Sequence, residues 1–163
     1  MLGTLLNKDQ ILLALHDVHD PEIPTISLID LGVITNIQVG EDRVEITMTP
    51  TFVGCPALDY MQREVREKIL QLGALEVEVK IDFVTPWTSN RVTDAGRAAL
   101  KKHGLALPNR FEGEFEPEIL LNAECPVCGS KYTALRSPFG ATLCRALYYC
   151  NSCLQAFEQF KPV

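Results

Sequence analysis

Apolar residues recur at helical spacing near the start of the chain. Asn7-Lys8-Asp9-Gln10 has the composition of a capped helix start, and Ile11, Leu12 and Leu15 follow at a helical period. Two prolines in Asp20-Pro21-Glu22-Ile23-Pro24 then forbid a helix and favour an extended turn. The pattern therefore predicts a short first helix that ends before this turn.

The apolar period changes to two from Val33 onward, which is typical of a strand with one buried face. Strand-like alternation runs from Val33 to Val39 and again from Val44 to Met48, on either side of Gly40-Glu41-Asp42. This arrangement predicts a β-hairpin. A third alternating segment, Val77 to Phe83, predicts a further strand.

Helical periodicity returns between the hairpin and the third strand. Leu58, Met61, Val65, Ile69 and Leu72 fall on one side, and Gly73 follows as a helix stop. A last short helix is predicted from about Thr93 to Lys102. The order α-β-β-α-β-α predicts an α+β domain over residues 1–103, with a small three-stranded mixed sheet covered by helices.

The charge changes along the remaining residues. Residues 104–122 contain two prolines and four glutamates, and we predict that they form an acidic linker. Residues 123–163 are mildly basic, although the whole chain has a net charge of −6. Because no segment has the dense cationic face that neutralises phosphates, the sequence argues against nucleic acid as a partner.

Neither a secretory leader nor a membrane span is predicted in these 163 residues. No apolar run approaches the roughly 20 residues that a span needs, and the N-terminus lacks the basic and apolar regions of a signal peptide. We therefore expect a cytoplasmic protein. In that compartment its six cysteines are expected to be metal ligands or reactive thiols rather than disulfides.

Four of the cysteines form two C-x-x-C pairs. Cys125-Pro126-Val127-Cys128-Gly129 and Cys150-Asn151-Ser152-Cys153 have the spacing of a tetrahedral four-thiolate site. The flanking segments predict three short strands, at 131–135, 147–149 and 157–160. Because about 40 residues bury too little surface to fold alone, we predict a small β-rich zinc ribbon over residues 123–163, stabilised by the ion. Iron in the same site, and four unrelated core thiols, are the alternatives.

Cys55 differs from these four because it stands alone. It lies between Gly54 and Pro56, just before the helix predicted to begin near Ala57. Unpaired N–H groups at a helix start would stabilise a thiolate there, so we expect its pKa to fall below the usual value of about 8.5. Gly54 would give another molecule access to the sulfur, and Pro56 suits a first helical turn. A small buried hydrophobe is the alternative interpretation.

The other candidates for chemistry are weaker. Cys144 lies six residues before Cys150 and is interpreted as a buried free thiol, with an alternative ligand or a redox partner as other roles. His16 and His19 stand near several acids, but without ligand spacing they indicate a solvated helix end.

Motifs in both halves resemble a known family. The first half carries Asp20-Pro21-Glu22-Ile23-Pro24, Asp30-Leu31-Gly32-Val33-Ile34 and Thr51-x-x-Gly54-Cys55-Pro56. The second half carries Pro86-Trp87-Thr88, Gly96-Arg97, Gly104-Leu105-Ala106-Leu107-Pro108, Cys125-Pro126-x-Cys128-Gly129, Ser137-x-Phe139-Gly140-x-Thr142-x-Cys144 and Tyr149-Cys150-x-x-Cys153. The first set resembles the SufT-type iron–sulfur assembly domain. Both sets together resemble the PaaD-like proteins of phenylacetate degradation, over nearly the whole chain.

The resemblance implies a non-catalytic accessory factor of the bacterial phenylacetyl-CoA epoxidase system. It implies assembly or delivery of an iron–sulfur cluster, with a ferredoxin-type reductase as the expected client. The family's reactive cysteine falls on Cys55, with Asp20, Glu22 and Asp30 as accompanying motif acids. A transient cluster at Cys55, iron at Cys55, and a role of Cys55 in docking the client alone are the alternatives. Since one thiolate cannot satisfy a cluster that takes four cysteines, a second copy, Cys144 or the client would supply further ligands.

Two other functions are less consistent with the sequence. The first is a structural or catalytic subunit acting directly within the epoxidase complex. A catalytic subunit would be expected to contribute oxygen-activating ligands such as a His-carboxylate set, and the scattered histidines do not form one. A zinc-ribbon protein that binds nucleic acid is opposed by the acidic charge balance.

Overall fold

A computed structural model describes residues 6–114, 116–121 and 123–162. A few residues lie outside the described ones: the first five of the predicted domain, Phe115 and Asn122 of the predicted linker, and Val163 of the predicted ribbon. The backbone divides into two compact units, Met1–Trp87 and Thr88–Val163. No helix in the described part of the chain is long and apolar enough to cross a membrane.

The first unit has the predicted mixed sheet. Its elements are α1 (Lys8–Leu15), β1 (Ile34–Val39), β2 (Arg43–Met48), α2 (Leu58–Gln71) and β3 (Glu76–Ile81). The sheet order is β1-β2-β3, with β1 antiparallel and β3 parallel to β2. This confirms the predicted fold class, the hairpin and the third strand.

Local sequence signals explain the two helices of this unit. The Asn7 side chain accepts a hydrogen bond from the Gln10 N–H at 2.9 Å, and the Gln10 side chain accepts one from the Asn7 N–H at 3.0 Å, so the capping box predicted for α1 is formed. In α2 four members of the apolar stripe are buried, with Val65 and Ile69 fully so, whereas Leu72 at the C-cap is exposed. This face packs on the sheet, where Ile46 and Met48 are also fully buried.

The parallel pairing of β2 with β3 gives the sheet a carboxyl edge, where both strands end. The Asp82 N–H donates to the Met48 carbonyl at 2.8 Å, and the Thr49 N–H donates to the Val33 carbonyl at 2.8 Å. The loop that contains Cys55 and the segment that follows β3 therefore leave the sheet at the same edge. Trp87 fixes the end of that segment, since its buried indole N–H donates to the Leu31 carbonyl at 3.0 Å.

The second unit contains the three strands of the predicted ribbon and four further elements. Its elements are a 3₁₀ turn (Ser89–Arg91), α3 (Asp94–Lys102), β4 (Leu105–Ala106), a second 3₁₀ turn (Pro117–Leu121), β5 (Thr133–Ser137), β6 (Arg145–Cys150) and β7 (Ala156–Phe160). The sheet order is β4-β7-β6-β5. β6 is antiparallel to both β5 and β7, and β4 is parallel to β7. The three predicted ribbon strands are present, shifted by one or two residues at their ends.

The contacts divide the chain differently from the predicted boundary at residue 103. The helix α3 belongs to the second unit, and Leu105 and Ala106, predicted as linker, are buried and paired with β7. Side chains hold this region together: the Arg97 guanidinium donates to the Pro108 carbonyl at 2.9 Å and to the Ser89 carbonyl at 3.0 Å. The folding of residues 1–103 as an independent domain stays a prediction.

Candidate metal centre and reactive cysteine

The first cysteine pair lies on a tight turn. The Gly129 N–H donates to the Cys125 carbonyl at 2.8 Å, and the Cys125 N–H donates to the Ser130 carbonyl at 2.9 Å. Gly129 has φ of 74°, a left-handed conformation that glycine adopts without strain. This is the turn that the sequence predicted, and it places both thiols on one side of the backbone.

The second pair repeats the same turn residue by residue. The Leu154 N–H donates to the Cys150 carbonyl at 3.0 Å, and the Cys150 N–H donates to the Gln155 carbonyl at 2.8 Å. Leu154 stands where the first turn has Gly129, and its φ is 61°. No sequence signal indicated this, because leucine rarely adopts positive φ.

The two turns bring four sulfur atoms together. Sγ of Cys125 lies 3.7 Å from that of Cys153, and Sγ of Cys128 lies 3.6 Å from that of Cys150. All four lie within 4.8 Å of one another. Four thiolates bound tetrahedrally at about 2.3 Å from a zinc ion are about 3.8 Å apart, so the observed spacing fits such an ion. Among the residues that the structure describes, this is the one group whose ligand atoms are close enough to hold a metal.

The site is continuous with the core of the second unit. Cys125 and Cys150 are fully buried and pack in one cluster with the stacked rings of Tyr148 and Phe157, whose centroids are 5.5 Å apart. Cys128 is exposed. An ion held by these four sulfurs would therefore link the surface turn to the buried sheet.

The surrounding backbone already favours a thiolate at one of the four sulfurs. Hydrogen bonds from the N–H groups of Cys153 and Ser152 lower the pKa of the Cys150 thiol to about 6. Burial raises the pKa of the Cys153 thiol to about 12. Four adjacent thiols cannot all ionise on their own, and a divalent cation supplies the charge that lets them do so.

Cys55 lies apart from this quartet, in the loop at the carboxyl edge of the first unit. Its N–H donates to the Phe52 carbonyl at 3.1 Å, and its carbonyl accepts from the Leu58 N–H at 3.3 Å. The helix α2 begins at Leu58, and its N-cap Ala57 offers no side-chain hydrogen bond. Cys55 is half-buried and lies just before this helix start, as predicted. The lowered pKa of its thiol stays a prediction.

The neighbours of Cys55 differ in one respect from expectation. Pro56 precedes the N-cap and is not in the first helical turn, because the first helical bond runs from the Met61 N–H to the Ala57 carbonyl. The Phe52 ring lies against Gly54, so the access to the sulfur expected from this glycine stays a prediction. A Cβ added at Gly54 would lie 3.1 Å from Cε1 of that ring.

The carboxylates of Asp20 and Asp30 make structural contacts in the α1–β1 loop. The Asp20 carboxylate accepts from the N–H groups of Glu22 at 2.8 Å and Ile23 at 2.9 Å, which fixes the proline-rich turn. The Asp30 carboxylate accepts from the Ser27 hydroxyl at 2.8 Å. The role of Asp20, Glu22 and Asp30 as companions of Cys55 stays a prediction.

His16 is the exposed C-cap of α1, in agreement with the predicted solvated helix end, and it also has side-chain partners. Its Nδ1 lies 3.4 Å from Oδ2 of Asp30 and 3.4 Å from Oγ of Ser27. Sequence reasoning missed this cluster because its members are 11 or more residues from His16 and follow no repeat.

Cys144 lies in the turn before β6. Its sulfur is 3.1 Å from the Thr142 hydroxyl, and its carbonyl accepts from the Lys161 N–H at 2.9 Å. It is half-buried and is not one of the grouped metal ligands. Its assignment as a free thiol is therefore consistent with the structure, and its role in any transfer stays untested.

Two family models match the chain. Residues 8–83 match the model described as iron-sulfur cluster assembly protein. Residues 117–161 match the model described as PaaD zinc beta ribbon domain. These are the two halves in which Cys55 and the cysteine quartet lie.

Several curated proteins are similar to the chain. A protein of Escherichia coli K12, named as one subunit of "Putative 1,2-phenylacetyl-CoA epoxidase", is 37% identical over 152 residues, covering 91% of this chain and 89% of the relative. Two proteins named as Fe-S protein maturation auxiliary factors match the first part. The one from Porphyromonas gingivalis is 36% identical over 55% of this chain and 87% of its own length. The one from Bacillus subtilis, YitW, is 33% identical over 57% of this chain and 92% of its own length.

Solved structures match the same first part. A domain of unknown function, DUF59, from Bacillus anthracis is 26% identical, with a TM-score of 0.53, over 57% of this chain and 90% of that one. A conserved hypothetical protein from Thermotoga maritima is 29% identical, with a TM-score of 0.51, over 57% of this chain and 92% of that one. The fold around Cys55 is thus one that occurs without the ribbon.

Proposed function

This chain belongs to the PaaD-like family, and on that premise we propose that it is an accessory factor of phenylacetate catabolism that assembles or delivers an iron–sulfur cluster. The client in this proposal is the ferredoxin-type reductase of the phenylacetyl-CoA epoxidase system. The observation that carries the proposal is the placement of Cys55. Cys55 lies at the carboxyl edge of the sheet in the first unit. The relatives that match this part of the chain include proteins named as iron–sulfur maturation factors.

The chemistry proposed for Cys55 is ligand exchange. The iron–sulfur bond to the Cys55 thiolate is replaced by a bond to a client cysteine, whose thiol proton passes to the sulfur of Cys55. No electron is transferred, and the number of iron–sulfur bonds is unchanged. Because Cys55 supplies one thiolate of the four that a cluster takes, the client or a second copy must supply the others.

The cysteine quartet has a different part in this proposal. All four sulfurs face one another, so an ion bound there has no open position for a substrate, and its role is structural. We assign zinc to this site, since four-thiolate ribbons most often hold that ion. An iron content equal to the protein content, in place of zinc, would overturn this assignment.

The competing function is that of a subunit acting directly within the epoxidase. The name of the Escherichia coli relative, which describes it as part of the epoxidase, favours this function. A catalytic subunit would need metal ligands that activate oxygen, such as histidines and carboxylates. Among the described residues, the four cysteines are the one group that could hold a metal. A structural subunit would be required for epoxidase activity even when the reductase arrives fully loaded.

Deletion of the gene tests the proposal. The reductase is purified from cells with and without this protein, and its cluster is measured by visible absorption and by iron analysis. We expect reductase that is folded but depleted of its cluster when the gene is absent. Fully loaded reductase from the deletion strain would overturn the proposal. Full loading together with an epoxidase that is inactive until this protein is added back would establish the subunit role.

A further inference from the structure

Two turns at the carboxyl edge each expose a phenylalanine–valine pair. Phe52-Val53 belongs to the loop that contains Cys55, and Phe83-Val84 follows the third strand closely. Val53 is 70% exposed and Val84 is 92% exposed, and the two phenylalanine rings are 39% and 54% exposed. We call these four residues the apolar edge. The two turns follow strands that end together, because the Asp82 N–H donates to the Met48 carbonyl, and apolar residues exposed at one edge mark interaction sites more often than scattered ones do.

Hydrogen bonds hold both turns in place. The Cys55 N–H bond to the Phe52 carbonyl closes the first turn. In the second, the Asp82 carboxylate accepts from the N–H groups of Val84 at 2.8 Å and Thr85 at 3.0 Å. The apolar edge is therefore displayed on ordered backbone, and binding would not have to order the turns first.

The low charge of the two turns indicates what kind of surface the apolar edge fits. Apart from Asp82, whose carboxylate accepts from the N–H groups of its own turn, the residues of both turns are uncharged: none in 49–58 or in 83–90 is charged, although charged residues make up 22% of the chain. The centre of a protein interface is depleted of charge in the same way. The complementary surface is therefore uncharged and apolar, and a basic or acidic peptide does not fit it.

The size of the apolar edge distinguishes a transient partner from a permanent one. The exposed parts of its four side chains amount to roughly 400 Å², about half of the ~800 Å² that each partner buries in a standard stable interface. A lasting dimer through this surface would need far more area. A transient partner, which binds, receives its cluster and dissociates, can be held by an interface of this smaller area.

We propose that the apolar edge is the docking surface for the client. The occupant is an apo iron–sulfur protein whose cysteine-bearing loop is bordered by apolar, uncharged side chains. Val53 is two residues from Cys55, so a client cysteine that reaches the Cys55 sulfur also covers this turn. This inference rests on the function proposed above, and it adds how the client is recognised.

The test measures binding of the apo reductase, with its cluster removed, to the full-length protein by isothermal titration calorimetry. The variants are Val53→Glu and Val84→Glu, each of which places a charge in the apolar edge. Leu75→Glu is the matched control, because Leu75 is 78% exposed and precedes β3 at the opposite end of the sheet. We expect each edge variant to weaken binding about tenfold or more, and the control to bind as the unaltered protein does. Circular dichroism and urea unfolding should be the same for all three.

Unchanged affinity of both edge variants, or no binding of the apo reductase by the unaltered protein, would overturn the inference. So would a stable dimer that Val84→Glu dissociates, because the occupant would then be a second copy. Cluster loading separates this inference from the function on which it rests. Edge variants that load the reductase normally while Cys55→Ser fails would contradict the docking surface alone. Normal loading by Cys55→Ser would contradict the proposed function.

Discussion

Gly129 and Leu154 occupy equivalent positions in the two cysteine turns, and they meet the same backbone requirement at different cost. Both have positive φ, at 74° and 61°. Glycine adopts this conformation freely, whereas for a residue with a Cβ it costs about 1–2 kcal/mol. The Leu154 side chain is 65% exposed, so little burial offsets that cost. The second turn is therefore strained where the first is not.

Exchanging the residue types at these positions should change stability in opposite directions. We expect Leu154→Gly to raise the free energy of unfolding of the second unit by about 1 kcal/mol, because it removes the left-handed strain. Gly129→Ala should lower it by a similar amount, since an added Cβ would meet only Oε1 of Glu124, at an ordinary contact distance of 4.0 Å, and strain is the main cost. The measurement is chemical denaturation of metal-loaded protein. A destabilised Leu154→Gly would mean that the leucine side chain contributes more than its exposure suggests.

The two cysteines outside the quartet provide a matched pair for testing transfer. Cys55→Ser removes a nucleophile and little volume, so the protein should fold and keep its metal while the client reductase loses most of its cluster. Cys144→Ser should be milder, because Cys144 lies in another unit and its sulfur contacts the Thr142 hydroxyl. Cluster content of reductase from cells carrying each variant is read by visible absorption. If reductase from both variants contained the same amount of cluster, Cys55 would have no special part in transfer and would be a core residue.

Individual residues differed in how far sequence could predict them. The quartet was predictable because the ligand spacing of C-x-x-C pairs is imposed by the ion. Cys55 could be placed at a helix start because glycine and proline mark the turn. The contact of His16 with Ser27 and Asp30 could not be foreseen, since it depends on how the α1–β1 loop folds back.

At the scale of elements, periodicity predicted the long segments and failed for the short one. The hairpin, β3 and α2 each have enough apolar positions to show their period. The strand β4 has only two residues, too few to show a period, and it forms because it can pair with the edge of β7. The placement of α3 in the second unit was missed for the same reason: it follows from long-range contacts such as those of Arg97, which no local pattern records.

Trp87 joins the segment after β3 to the α1–β1 loop, and the loss of this link should be measurable. Trp87→Phe removes the hydrogen bond to the buried Leu31 carbonyl, so we expect a loss of about 1–3 kcal/mol in the free energy of unfolding. Urea unfolding followed by far-ultraviolet circular dichroism measures this. Tyr60→Phe is the control, because Tyr60 is 41% exposed. A change below about 0.5 kcal/mol in Trp87→Phe, the range of ordinary surface substitutions, would show that the loop is held by other contacts.

At the scale of the whole molecule, we expect the second unit to depend on the ion more than the first does. The buried cluster around the ligands Cys125 and Cys150 consists of three alanines and two aromatic rings. Four other apolar side chains of this unit are buried as well, Val92, Leu100, Leu105 and Phe160, and together these are fewer than the first unit has. The first unit has many fully buried aliphatic side chains, among them Ile11, Leu15 and Ile46. Binding free energy of the metal should therefore be folding free energy in the second unit alone.

Removing one ligand tests both the metal and the boundary between the units. The unaltered protein should purify with one equivalent of zinc, and Cys125→Ser should lose it. Because β4 pairs with β7 and α3 packs on β4, amide hydrogen exchange should show loss of protection in α3 as well as in the ribbon strands. The first unit should keep its protection, and Cys144→Ser, which changes a cysteine outside the quartet, should keep both zinc and protection. If α3 stays protected while the ribbon opens, the boundary predicted at residue 103 is the correct one. If the protein contains no metal and its ribbon is nevertheless protected, the four cysteines are core thiols and the metal has no part in folding.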